Sequence, residues 1–388
     1  MKRTRRASVG ALVCAVFLVS ACASGTSTTE TGSSGAAQST KPVSVSFDPK
    51  AKTLIPDVPV EQWCGPKKAN VAVFDGIPLD AWRRIALAVY KKEAAKCASI
   101  DQNIIEVSAG GDPKKANSDV DALSAQGYKL ITGWADYGEA MLPAFRAATK
   151  AGAVVVPYGN EVGGTPGVDY AANTYLDNAA GAKSIAESVA KHLNGKGNVV
   201  SVGGAAGAKS AQTFHQGVKE GLAEFPGITL LNKDYIVTDW SPVEAQKKTT
   251  AFISQHRDID AVIIDYGATG AAVVRAFDES GVPVPTVGVL GAANEIACQW
   301  KDHDKKGKGF DLISADSVHA TIKAAAQQGI AAVTGGKYNL VQSYVTPLTN
   351  DTSAGKDPTC DPKLPVDTDF TTPLTVDELV KVLKSAQQ

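Results

Sequence analysis

The chain has 388 residues, 44% of them hydrophobic and 20% charged, with a formal net charge of −1. At roughly 100–200 residues per domain this length accommodates two to three domains, and the apolar fraction excludes wholesale disorder. The near-zero charge leaves no electrostatic footprint for nucleic acid, and beyond the N-terminus no apolar run reaches the roughly 18 residues that a membrane span needs.

Lys2, Arg3, Arg5 and Arg6 precede an apolar stretch over residues 9–19 that is too short to span a bilayer. It runs into Val19-Ser20-Ala21-Cys22, small residues leading to a cysteine. The arrangement resembles the bacterial lipobox. Residues 1–21 are therefore expected to be a signal peptide, with Cys22 lipidated as the new N-terminus at the outer face of the cell membrane; the competing reading is a plain signal cut near Ala21 or Ala23. Removing residues 1–21 leaves 35 basic residues against 40 acidic ones, a charge of −5. Residues 22–50 are rich in Ser, Thr, Gly and Ala and predict a flexible tether with a reach of about 30 Å.

Of six cysteines, Cys14 leaves with the signal and Cys22 is the lipid acceptor, so Cys64, Cys97, Cys298 and Cys360 remain in the body. An even count in an exported chain suggests two disulfides, and three connectivities are open. The expected one is Cys64–Cys97 with Cys298–Cys360, because Cys64 precedes the first strand and Cys97 ends the first helix. The alternative is buried free thiols. The five histidines are scattered singly and no CxxC occurs, so no metal site is expected.

From Asn70 onward, short β-branched runs alternate with amphipathic stretches. The runs lie at 71–74, 104–107, 130–131, 154–156, 199–202, 228–231, 261–264 and 286–290. Helices are expected to begin near Asp80, Pro113, Tyr137, Asn178, Ala208, Ser241, Ala268 and Ser317. Short strands apolar on both faces and separated by helices predict an α/β fold with parallel sheets covered on both sides. The count alone allows one barrel or two open sheets. In open sheets ligands sit beyond the carboxyl ends of the strands. Three of the five tryptophans fall there, in Asp80-Ala81-Trp82, Gly133-Trp134-Ala135-Asp136 and Asp239-Trp240, as do Asp265-Tyr266-Gly267 and Asp316. Loop polarity explains the aspartates, not the tryptophans, so the pattern points to a pocket.

Several segments in order complete the picture: Asn70–Val107 as an opening βα unit, Ala151-Gly152-Ala153-Val154-Val155-Val156-Pro157, Tyr175-Leu176-Asp177-Asn178 followed by Gly181, and Gly203-Gly204-Ala205-Ala206-Gly207 followed by Ser210, Ala211 and Gly217. Over about residues 68–350 the chain resembles type I periplasmic solute-binding proteins of the ribose/galactose/xylose kind, which feed ABC importers. The resemblance implies two Rossmann-like, doubly wound parallel-sheet lobes joined by a three-stranded hinge, with crossings near Asp177, Asp316 and Val341. It places the N-terminal lobe at 67–176 plus 317–341 and the C-terminal lobe at 177–316 plus 342–388. It further implies no enzymatic activity and no cofactor, a monomer, a small polar solute trapped between the lobes by hinge closure, and a membrane permease as partner.

The ligand residues expected on this basis are Asp75, Asp80, Trp82, Trp134, Asp136, Asn160, Gln212, Trp240, Tyr266 and Asp316. Where sugar-binding members carry an Asp-Arg pair after the fourth strand this chain has Gly159-Asn160, and Gln212 replaces an arginine on the second lobe's first helix. Aromatic walls without arginine disfavour a carboxylate ligand and favour a sugar or polyol; a cationic amine is second, through cation–π attraction. Arg83 and Arg84, on the helix after the first strand, qualify that argument. A sensory lipoprotein that binds ligand without transport is the functional alternative. Gly203–Ser210 falls one glycine short of a P-loop, with Ala208 at the second required position, and reads as a glycine-rich turn under a helix. Residues 301–308 (KDHDKKGK) read as a solvated loop, with a metal site on Asp302, His303 and Asp304 as the sharper alternative.

Overall fold

The computed structural model describes residues 43–46, 58–316, 319–338 and 341–384. The expected signal peptide, Cys22 and nearly all of the tether lie outside the described residues. The strands are β1 (Val43–Ser46), β2 (Val71–Asp75), β3 (Ile105–Ser108), β4 (Leu130–Trp134), β5 (Val154–Gly159), β6 (Thr174–Leu176), β7 (Lys196–Gly203), β8 (Gly227–Leu230), β9 (Ile236–Val237), β10 (Ala261–Ile264), β11 (Thr286–Leu290), β12 (Leu312–Ala315), β13 (Val341–Val345) and β14 (Leu348–Asp351). The helices are α1 (Val60–Trp63), α2 (Ala81–Ala94), α3 (Pro113–Ala125), α4 (Leu142–Lys150), α5 (Asn178–His192), α6 (Lys209–Leu222), α7 (Pro242–Gln255), α8 (Gly267–Ser280), α9 (Asn294–Lys305), α10 (His319–Thr334) and α11 (Val376–Lys384).

Two sheets form, which decides against a barrel. The first has the order β1-β13-β6-β5-β4-β2-β3 and the second β14-β12-β11-β10-β7-β8, with β9 also pairing β7. Every pairing is parallel except β12 with β14. Parallel strands need covered faces, and β2, β4 and β10 are buried along their whole length. Helices start on side-chain caps: Asp80 accepts from Arg83 N, Asp177 from Ala180 N and Ser241 from Glu244 N. The α/β, doubly wound, two-lobed architecture is the one that the sequence implies.

The chain passes from the first sheet to the second at Asp177, returns between Ala315 and His319, and passes again between Val345 and Leu348. The third passage thus falls after β13, not near Val341 where it is expected, because residues 341–345 first extend the first sheet beside β6. A fourth passage is unanticipated. Residues 361–368 lie against α9 of the second lobe, whereas Leu374, Leu379 and Leu383 enter the first lobe's core beside Tyr90 and Ile330. The assignment of all of 342–388 to the second lobe therefore does not match the packing of β13 or of α11, which lies on α2.

Both disulfides are present. Cys64–Cys97 ties α1 to the end of α2, and Cys298–Cys360 ties α9 to the C-terminal segment. Residues 301–305, read from the sequence as part of a solvated loop, complete α9 instead. The charged residues there occupy its outer face, while Ile296 and Ala297 bury the inner one.

Candidate functional site

The carboxyl ends of β2, β4 and β6 face those of β10 and β11 across a cavity of about 840 Å³, part of it open to solvent. Three tryptophans are brought there. Trp82, in the first turn of α2, packs edge-on against Trp134 at the end of β4, with ring centroids 4.6 Å apart. Trp134 in turn occupies the space over Gly159, where a Cβ would fall 2.3 Å from the indole. Trp240 comes from the second lobe. Asp239 and Trp240 both adopt left-handed backbone, at φ of 53° and 52°, a conformation that costs non-glycine residues about 1–2 kcal/mol each. The turn is held by Thr238 N and Oγ1, which donate to Gly203 O, and by the indole itself, whose Nε1 donates to Asp265 Oδ2 at 3.1 Å.

Asp265 follows β10 and is the most distinctive carboxylate of the cavity. Oδ2 accepts from Gly204 N at 3.0 Å as well as from Trp240, while Oδ1 is buried with no hydrogen-bond partner among the described residues. Burial pushes its pKa up to about 7, against the opposing pull of Gly204 N–H, the Trp240 indole and its own backbone N–H. An orphaned carboxylate oxygen in a residue of the cavity lining calls for a donor such as a hydroxyl or ammonium group. Beside it the Tyr266 hydroxyl reaches the backbone of Trp82 on the opposite lobe. Burial and then the Asp80 and Asp367 charges raise its pKa, so it stays a neutral phenol.

Arg83 lines the cavity, which corrects the expectation of a site without arginine. Its charge is met twice, by Asp75 and by Asp136 (Nη2 to Oδ1, 2.8 Å), and Asp136 Oδ2 also accepts from Gly76 N. Asp75 and Asp136, expected as ligand contacts, are thus buried counter-ions behind the wall. Burial raises both carboxyls, and Arg83 lowers them. Arg84 donates to Leu79 O and does not line the cavity.

Of the ten expected ligand residues, Asp80, Trp82, Trp134, Trp240 and Tyr266 line the cavity, and five do not. Besides Asp75 and Asp136, Asn160 turns its amide to Ala135 O, and Asp316 is buried at the second passage with its N–H on Pro347 O. Gln212 is exposed on α6, where Ser210 and Phe214 face the cavity in its place. Asp265, which stands beside Tyr266 at a strand end but is not among the ten expected ligand residues, also lines the cavity. His319, one of the singly scattered histidines, also belongs to the lining. His319 is fully buried, stacked on Trp82 at 4.6 Å, with Nε2 on Trp82 O and Nδ1 on Asp369 Oδ2, both at 3.0 Å.

The glycine-rich turn at 203–207 has a specific use. A Cβ on Gly204 would lie 1.8 Å from Trp240 Cε2, and the Gly204 N–H is committed to Asp265. The turn serves the indole rather than a phosphate. Across the cleft, Lys209 N at the start of α6 donates to Asp136 O at 2.9 Å, so the two lobes touch at the cavity's rim. Among the described residues no group of three His, Cys, Asp or Glu side chains is placed to hold a metal ion.

A sequence model of the periplasmic binding protein domain matches residues 79–308, more than half of the chain. The chain belongs to the periplasmic binding protein family. That membership places it among extracytoplasmic solute-binding proteins rather than enzymes. It is similar to the xylitol-binding protein of Mycolicibacterium smegmatis, with 28% identity over 267 residues, 68% of this chain and 71% of that one. Among solved structures, an ABC transporter solute-binding protein of Thermobispora bispora aligns with a TM-score of 0.66 at 21% identity, covering 82% of this chain and 97% of that one. The fructose-binding periplasmic domain of a hybrid two-component system aligns with a TM-score of 0.63 at 20% identity, covering 74% and 92%. These structures share the type I periplasmic binding protein fold with this chain.

Proposed function

We propose that this protein is the substrate-binding lipoprotein of an ABC importer for a small neutral polyhydroxylated solute, a polyol or sugar. In this reading the solute is captured between the lobes by hinge closure and presented to a membrane permease, while lipid at Cys22 holds the protein at the outer face of the membrane. The observation that carries the proposal is the pairing, in one cavity, of indoles from both lobes with carboxylate oxygens that lack donors. The C–H face of a polyol packs on Trp82 and Trp240, and its hydroxyls donate to Asp80, Asp265 and Asp367. A likeness to a xylitol-binding protein supports the same class. The charge of Arg83 is spent on Asp75 and Asp136, so nothing at the wall is set to draw an anion.

The test is a thermal-shift screen with xylitol, D-allose, D-arabinose and D-tagatose. A ligand at 100 times its Kd adds about 2.7 kcal/mol of stability and raises the melting temperature. A rise with organic acids and none with polyols or sugars would overturn the reading. The surplus of carboxylates favours one second reading, a cationic amine held by cation–π attraction. Betaine and choline in the same screen separate it, because salt weakens an amine's binding and leaves a neutral polyol's unchanged.

A further inference from the structure

The C-terminal segment lies beyond the matched domain, which ends at residue 308, and its course is unusual. It is fastened to the second lobe by Cys298–Cys360 and by backbone pairing with the start of α9: Asn294 N donates to Thr368 O and Glu295 N to Val366 O, both at 2.9 Å. Asn294 adds a two-way clasp, its Nδ2 on Asp361 O and its Oδ1 accepting from Asp361 N. These contacts satisfy first-turn N–H groups of a helix that has no side-chain cap. The segment then crosses to the first lobe. Thr375 and Glu378 form a capping box at the start of α11, Glu378 also pairs with Lys92 of α2, and Leu379 and Leu383 bury in the first lobe's core.

Between these two fastenings the segment runs along the cavity, and Asp367 and Asp369 line it. Asp369 holds Nδ1 of His319, whose ring is stacked beneath Trp82. Asp367 is half-buried near Glu295, Asp80 and Arg84, and among the described residues its carboxylate has neither a hydrogen bond nor an ion pair. Asp265 belongs to the same lining, and its Oδ1 is buried without a hydrogen-bond partner among the described residues. Two carboxylates on separate elements thus belong to one cavity wall.

We infer that residues 360–384 are a strap that ties the two lobes and forms a third wall of the ligand site, with Asp367 accepting a ligand hydroxyl and Asp369 positioning Trp82 through His319. The inference rests on the polyol reading of the cavity and adds a specificity element that neither lobe supplies. A solute held by Asp265 at one end and Asp367 at the other must carry hydroxyls at both ends, as a linear polyol does.

Isothermal titration of xylitol into the full-length chain tests this, with Asp367→Ala, Asp367→Asn and Asp369→Ala alongside. Asp367 is partly exposed and unpaired, so Asp367→Ala is expected to leave the ligand-free melting temperature within about 2 °C. Its xylitol affinity is expected to fall at least tenfold, as for loss of a charge-assisted hydrogen bond, with Asp367→Asn, which keeps one acceptor oxygen, in between. Asp369→Ala is expected to weaken binding and also to change the ligand-induced tryptophan fluorescence, because the ring under Trp82 loses its anchor. Asp367→Ala and Asp369→Ala proteins that bind xylitol within twofold of the parent overturn the strap's role and leave the polyol reading standing. A parent chain that binds none of xylitol, D-allose, D-arabinose and D-tagatose overturns both, since the strap's carboxylates then have no hydroxyl to accept.

Discussion

Asp265 shows how one buried side chain links stability to ligand binding. Its carboxyl is raised to about 7 by burial, whereas an exposed aspartate titrates near 4. Between those values the folded protein keeps a proton that the unfolded chain has released. Stability from this group is therefore full below about pH 4 and is lost as pH rises toward 7. A hydroxyl donated to Oδ1 favours the ionised form, so ligand binding should release a proton and tighten from pH 6 to pH 8. Titration calorimetry in buffers of different ionisation enthalpy measures the release. Asp265→Asn keeps an acceptor for Gly204 N and Trp240 Nε1, so the ligand-free protein should lose this pH dependence and become more stable at pH 8. Xylitol affinity should fall about tenfold or more through the lost charge. A variant whose melting temperature still declines between pH 5 and 8 as the parent's does places the pH dependence elsewhere. Arg83 is the opposite case, a cavity-wall ion whose charge is met within the protein. Its removal would leave Asp75 and Asp136 buried without a counter-charge, so its role is to hold the wall together rather than to select a solute.

At the level of elements, the turn from β7 into α6 and the turn after β9 are built as one piece. Gly204 lies under the Trp240 indole, the strained Asp239–Trp240 pair aims the ring inward, and Asp265 fastens it. Such strain persists where surrounding contacts over-determine the backbone, and it is common at ligand clamps. Gly204→Ala inserts a methyl group 1.8 Å from the ring, so the indole must leave its place. We expect a stability cost of about 1–3 kcal/mol, typical of overpacking, together with loss of most xylitol binding. Denaturant unfolding and calorimetry on the variant check the two effects. Unchanged affinity would show that Trp240 does not form the second wall.

For the whole molecule, the described body has two lobes, four chain passages between them and a hydrogen bond from Lys209 N to Asp136 O at the cavity's rim. Among the described residues no helix is long and apolar enough to cross a membrane. Attachment to the cell, on our reading, depends on the segment before Asn70. Cys22→Ala is expected to release the protein into the soluble fraction or to leave it unprocessed, and mass spectrometry of the parent should find a diacylglyceryl-modified N-terminus at Cys22. An unmodified N-terminus at another residue would refute the anchor.

The alternation of β-branched runs with amphipathic stretches, the even set of body cysteines and the aromatics at strand ends were legible from local sequence. Each follows from neighbours a few residues apart, through the periods of strand and helix. Two sheets rather than a barrel was a question that strand count left open and strand pairing settled. The composition of the cavity was legible only in part. Gln212 and Ser210 are two residues apart, but on a helix residues four apart share a face, so the cavity receives Ser210 and Phe214 and Gln212 points away. Asp75 and Asp136 read as ligand contacts because the sequence does not show that Arg83, in the first turn of α2, turns its guanidinium back between the ends of β2 and β4 to claim both. Nothing near position 367 or 369 marks either as a pocket residue, since their place depends on a disulfide to Cys298 and on a helix docking against α2. Local periodicity determined which segments fold and how. Only tertiary packing decided which carboxylates meet the cavity and which are spent on a buried charge: Arg83 stands eight residues from Asp75 but 53 from Asp136, and Asp265 meets Gly204 61 residues away, so no single stretch of sequence holds the whole arrangement.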